Sequence, residues 1–176
     1  MRNFFRDIIG TILLAVAIFF LLQFTIQSFI IVGGSMEPTF EEGQRLVINK
    51  VVYNFHEPER GDIIVFHPPQ NKGTEYIKRI IALPGESVEI KEGIVYIHTK
   101  DNAFPLDEPY IKEPPRRNFQ GKTVPPDQYF VLGDNRNNSN DSRNDWTVES
   151  DEIIGKAWIS IWPPNEWGLA PNYSLP

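Results

Sequence analysis

The sequence predicts a mostly β protein carried behind a single N-terminal transmembrane helix. Three features lead to that reading. An uncharged run of 25 residues, Ile8–Val32, lies near the start of the chain. At about 1.5 Å per residue a helix of that length reaches roughly 37 Å, enough to cross a hydrocarbon core about 30 Å thick. Behind it come seven short stretches rich in β-branched and aromatic residues, bounded by Gly, Pro, Asn or Asp, which is the composition of strands. Most of the 15 prolines fall beyond residue 35, where they keep helices short.

The elements follow in chain order. Arg2 and Arg6 precede the apolar run, and the positive-inside rule then places residues 1–7 in the cytoplasm and the chain beyond the span outside it. A cleavable signal sequence fits less well, because the run exceeds the usual apolar core of such signals and no A-x-A site follows it. Gln23, Thr25, Gln27 and Ser28 make the last third more polar, so the span is set at residues 8–27 and an extended segment at Ser28 onward. Residues 28–176 read as one extracytoplasmic domain, with strands expected at Arg45–Val52, Asp62–His67, Tyr76–Leu83, Ser87–Lys91, Ile94–His98, Gln128–Leu132 and Ala157–Trp162. Lys91-Glu92-Gly93-Ile94 has the look of a hairpin turn in which Gly supplies a positive φ. Between Thr99 and Asp127 the chain turns polar and Pro-rich, and there an insertion with little regular structure is expected.

Composition removes several functions. A net charge of −6 without clustered Lys and Arg argues against nucleic acid as a partner. The absence of cysteine rules out thiolate catalysis and Cys-based zinc sites. No metal or cofactor is expected.

The stretch Gly33-Gly34-Ser35-Met36-Glu37-Pro38-Thr39-Phe40 presents a candidate nucleophile, Ser35, but the chain holds only His56, His67 and His98, none in a triad context. Lysine can serve as base when its neutral form is populated near neutral pH, which needs a drop of about three pKa units from the ordinary value. Burial among apolar groups supplies such a drop. Lys78 is the best placed, in Tyr76-Ile77-Lys78-Arg79-Ile80-Ile81. In a strand Tyr76, Lys78 and Ile80 share one face, and Arg79 takes the other. A third stretch, Gly133-Asp134-Asn135-Arg136-Asn137-Asn138-Ser139-Asn140-Asp141-Ser142-Arg143, does not suit calcium. Arg136 stands where an acid or amide ligand belongs and Ser139 where Gly is needed. It suits a charge network bracing a site.

Taken together and in this order behind an apolar span, these stretches resemble bacterial type I signal peptidase. The resemblance rests on Ser35-Met36-x-Pro38-Thr39, Arg60-Gly61-Asp62-Ile63-Ile64-Val65-Phe66, Tyr76-x-Lys78-Arg79 with Pro84-Gly85, and Gly133-Asp134-Asn135-Arg136-x-x-Ser139-x-Asp141-Ser142-Arg143. It implies a mostly antiparallel β catalytic domain on one transmembrane helix. It also implies a serine endopeptidase that removes signal peptides from exported preproteins, held in the cell membrane by a single pass and working as a monomer.

Residue by residue, the resemblance makes Ser35 the nucleophile, Lys78 the general base and Ser139 the hydroxyl that orients the Lys78 amine. Asp134, Arg136, Asp141 and Arg143 would form a supporting ion-pair network. Phe29, Ile31, Gly33, Tyr76 and Ile77 would accept an extended peptide between two strand edges. Where some relatives carry a serine as second oxyanion donor, this chain has Gly33. It also has Asn144-Asp145-Trp146-Thr147 after Arg143, where an aromatic-Gly pair is common, and Ala82 where Gly is common. Trp158, Trp162 and Trp167 suit the headgroup level of a bilayer, with core packing an equal alternative for Trp158. Two rivals stay open: a Ser/Lys maturation peptidase with a single substrate, and a catalytically silent membrane-anchored β domain that binds peptides.

Overall fold

The computed structural model describes residues 2–176. Met1 of the expected tail lies outside the described residues, as does the side chain of Arg2. Helix α1 (Arg2–Thr25) runs without a loop into strand β1 (Ile26–Ile30). Within its stretch Phe4–Thr25 an 18-residue window has a mean hydropathy of 2.5 and none of that window is buried, so its apolar surface is available to lipid. Pairing sets where the helix stops. The Lys50 N–H donates to the Thr25 carbonyl at 2.9 Å, and from Ile26 onward the backbone pairs antiparallel with β2 (Arg45–Asn49).

The remaining strands are β3 (Ile63–Phe66), β4 (Tyr76–Ala82), β5 (Ser87–Lys91), β6 (Ile94–His98), β7 (Ala103–Pro105), β8 (Phe119–Gln120), β9 (Gln128–Leu132), β10 (Val148–Glu149), β11 (Ile153–Trp162) and β12 (Gly168–Leu169). Eight form one antiparallel sheet in the order β1-β2-β11-β3-β4-β9-β10, with β12 beside β11, and four form a second in the order β7-β6-β5-β8. The expected Arg45–Val52 strand ends at Asn49, because the Asn49 carboxamide oxygen accepts the Val51 and Val52 N–H groups at 3.1 Å each and starts a short 3-10 turn. Strand β11 begins four residues earlier than expected and crosses β3 and β2 with three register shifts. Such bulges bend a sheet, and the curl brings β1 towards the approach to β4, where Gln27 Nε2 donates to Glu75 Oε1 at 3.0 Å.

In the second sheet β5 and β6 join through Glu92 and Gly93, with φ of 53° and 82°. Both central positions of this tight hairpin are left-handed, the requirement of a type I′ turn. The Thr99–Asp127 segment is more regular than its composition suggests: β7 pairs β6 and β8 pairs β5, so it provides both edges of this sheet. Between the sheets lies a core that includes Ile81, Ala82, Val88, Ile97, Leu106 and Phe130. A separate core under β1, β2 and β11 includes Phe29, Ile31, Met36, Leu46, Ile48 and Ile77. Trp146, in the stretch that departs from the family pattern, is buried against Phe66 with ring centroids 6.1 Å apart, and Asp145 takes the left-handed position before it with φ 62°.

Candidate active site

Strand β4 carries Lys78 between β3 and β9. It pairs with β3 over Tyr76–Arg79 and with β9 only from Arg79 onward, so the β9 side of Tyr76–Lys78 is left open. Every β4 residue after Tyr76 is buried. Ser35 arrives from the other side: β1 pairing continues through the Ile31 N–H to the Gln44 carbonyl at 2.9 Å, and the chain then turns at Gly33, φ 77°. The Glu42 carboxylate holds the Gly33 N–H at 3.2 Å. The turn delivers Ser35 Oγ to 2.7 Å from Lys78 Nζ.

Lys78 is 4% exposed. Burial pulls its amine down from 10.5 to about 8, against the opposing pull of the Asp141 and Asp134 carboxylates. That shift corresponds to about 3 kcal/mol of lost preference for the charged form. Nζ also meets the Ile77 carbonyl at 2.6 Å and lies 5.6 Å from the centre of the Tyr76 ring, as expected for residues on one strand face.

The third stretch wraps around both reacting groups. Asn135 donates its N–H to the Ser35 carbonyl at 3.1 Å and its side-chain amide to the Gly34 carbonyl at 2.9 Å. Gly133 sits at a close approach: a Cβ there would lie 2.3 Å from Ser139 Oγ and 2.4 Å from the Ser35 carbonyl oxygen. Ser139 is therefore next to the pair, but its Oγ is buried without a hydrogen-bond partner among the described residues, the Lys78 amine included.

The four expected ionic residues form three separate pairs. Asp134 takes a bidentate bond from Arg79, at 2.9 and 2.7 Å, with both side chains fully buried. The Thr39 hydroxyl, from the nucleophile's own stretch, also donates to Asp134. Asp141 pairs with Arg143 at 2.8 Å and accepts the Gly133 N–H. Arg136 pairs with Glu108; burial pulls its guanidinium's pKa down, but the Glu108 hydrogen bonds and charge, with Tyr110 and Asp134, together raise it. Arg79 and Glu108 are the partners that sequence reasoning missed. For Arg79 the signal was a charge on an otherwise aliphatic strand face; Glu108 stands among polar residues and had none.

A groove of about 480 Å³ opens beside the pair, lined by Phe29, Ile30, Val32, Tyr76, Ile77 and Lys78, with Ser35 at its end. Of the residues expected to accept a peptide, Phe29, Tyr76 and Ile77 line this groove. Ile31 lies in the core at 1% exposure and does not line the groove, whereas its neighbours Ile30 and Val32 do. Gly33 is not a lining residue. The open edges of β1 and β4 leave a slot into which a peptide strand can add.

Fold and site together set a serine against a buried lysine on an antiparallel β domain that follows an exposed apolar helix. The chain belongs to the signal peptidase family, peptidase S26, whose family model matches residues 4–162. It is 45% identical to the probable signal peptidase I-1 of Synechocystis sp., over 98% of this chain and 90% of that one. It is 44% identical to the signal peptidase I of Leptolyngbya laminosa, over 79% and 71% of the two chains. The crystal structure of a signal peptidase I from Enterococcus faecalis superposes with a TM-score of 0.50 at 36% identity, covering 57% of this chain and 97% of that one.

Proposed function

We propose that this protein removes N-terminal signal peptides from exported preproteins, using Ser35 as nucleophile and Lys78 as general base. The observation that carries the mechanism is the 2.7 Å contact between Ser35 Oγ and a buried Lys78 whose pKa is lowered to about 8. Neutral Lys78 takes the Ser35 proton as Oγ attacks the carbonyl of the scissile bond. The leaving amine takes that proton, and the acyl-enzyme is hydrolysed by a water that the same lysine activates. The Ser35 N–H, which has no acceptor among the described residues, stabilises the oxyanion. Ser139 orients the amine once its hydroxyl rotates towards it. Asp134, Arg136, Asp141 and Arg143 hold the loop that carries Ser139.

The signal peptide lies extended between the β1 and β4 edges, with small side chains against Phe29 and Ile77. The helix α1 anchors the domain in the cytoplasmic membrane, with residues 1–7 inside, the span at about 8–27 and the β domain outside. The test is a panel of preproteins with small residues at −1 and −3, offered to the purified protein in detergent. Cleavage of many at the expected bond supports a general peptidase; cleavage of one alone supports a dedicated maturation enzyme, and cleavage of none a silent binding domain.

A further inference from the structure

We infer that Glu108, supplied by the second sheet's connecting segment, is a positioning residue for the catalytic pair. This rests on the Ser35–Lys78 reading. The Arg136 side chain is fully buried and that of Glu108 nearly so, and the two Glu108 oxygens accept from the two terminal nitrogens of Arg136. Arg136 in turn donates through Nε to the Gly133 carbonyl at 3.1 Å. Gly133 is wedged between the Ser35 carbonyl and Ser139 Oγ, so any movement of its peptide is passed to both.

A second link runs in parallel. Glu108 accepts the Tyr110 hydroxyl at 2.9 Å, and the Tyr110 ring lies 4.0 Å from the Arg79 guanidinium, which holds Asp134. The two adjacent residues Gly133 and Asp134 are therefore both braced from one short piece of chain, residues 108–110. That piece is itself rooted: Leu106 is buried in the inter-sheet core and donates its N–H to the Val95 carbonyl at 2.8 Å. Glu108 does not line the groove. Its effect falls on the alignment of Ser35 with its base, and peptide binding is left to β1 and β4.

The experiment is steady-state cleavage of one preprotein by the full chain in detergent, comparing wild type with Glu108→Gln, Glu108→Ala, Arg136→Ala, the Glu108→Ala/Arg136→Ala double variant and Ser35→Ala. Rates are taken per folded molecule, with folding checked by near-UV circular dichroism. Glu108→Ala lowers kcat about tenfold or more while KM stays within about twofold, and the isosteric Glu108→Gln retains part of that loss. The double variant falls no further than Arg136→Ala alone, because the two residues act as one unit. Wild-type kcat in folded Glu108→Gln or Glu108→Ala overturns the inference, as does a change confined to KM or a double variant whose loss is the product of the single losses. Because Glu108→Gln keeps the shape and a neutral hydrogen bond, it carries the test if Glu108→Ala does not fold. Residual activity in Ser35→Ala strikes the dyad itself, a different failure from normal kcat at Glu108.

Discussion

In the proposed mechanism Lys78 takes the Ser35 proton, and it is able to do so only because it is buried. An exposed lysine is almost fully charged at neutral pH, whereas Lys78 at a pKa of about 8 is neutral in roughly one molecule in ten at pH 7. Ser35→Ala and Lys78→Ala each lower cleavage by about a thousandfold or more in folded protein. Lys78→Arg is as inactive, since a guanidinium keeps its proton; preprotein cleavage assays on the three variants check this, and appreciable turnover by any of them removes the assignment. The juxtaposition of Ser35 with Lys78 was expected from several stretches resembling one family in the same order, and a lysine on a strand of isoleucines would not have shown it alone. The state of Ser139 was not legible, because a hydroxyl's rotamer depends on neighbours brought from Gly133 and the Ser35 carbonyl. The burial of Ile31 beneath the groove was not legible for a related reason. Phe29 and Ile31 share a face, and the curl of the sheet decides how much of that face the groove uses.

Strand β4 is the element on which the site depends, and its two faces do different work. Lys78 meets Ser35 on one, and Arg79 on the other holds Asp134 with both charges out of solvent, while also donating to the Gly61 and Pro171 carbonyls. Removing one partner of a buried pair leaves an uncompensated charge at a cost of about 3–5 kcal/mol. Arg79→Leu is expected to lose stability on that scale, measured by chemical denaturation, whereas Arg143→Leu, whose side chain is partly exposed, loses less. Equal stability of the two variants contradicts this ranking. Strands with five or more patterned residues, such as β5, β6 and β9, were readable from composition. The two- and three-residue strands β7, β8, β10 and β12 are too short to show a period and form because a neighbouring edge is there to pair with. For the same reason the Thr99–Asp127 segment read as irregular, although it frames the second sheet and delivers Glu108.

At the scale of the whole molecule, the apolar helix and the groove adjoin. Helix α1 exposes its apolar side chains along its length, and β1, which borders the groove, follows it directly. Trp158, Trp162 and Trp167 are 46%, 53% and 67% exposed, so the core-packing alternative for Trp158 does not hold. Exposed indoles of this kind favour the interface between headgroups and water. Their fluorescence is expected to be quenched by brominated lipids in liposomes carrying the full chain, and the quenching to fall when Trp162 and Trp167 are replaced by Ser. Unquenched emission, or quenching unchanged by the replacements, contradicts contact between this face and the bilayer. The apolar span was plain in the sequence; how far each indole is exposed required the fold.

The most direct test of the account is the pH dependence of kcat/KM for a preprotein whose cleavage is limited by chemistry. A base with a pKa of about 8 predicts a rate that climbs about tenfold per pH unit below that value and levels above it, as Lys78 loses its proton. A rate that is flat between about pH 6 and 9, or one still climbing towards the ordinary lysine value near 10.4, contradicts a buried Lys78 as the group that activates Ser35.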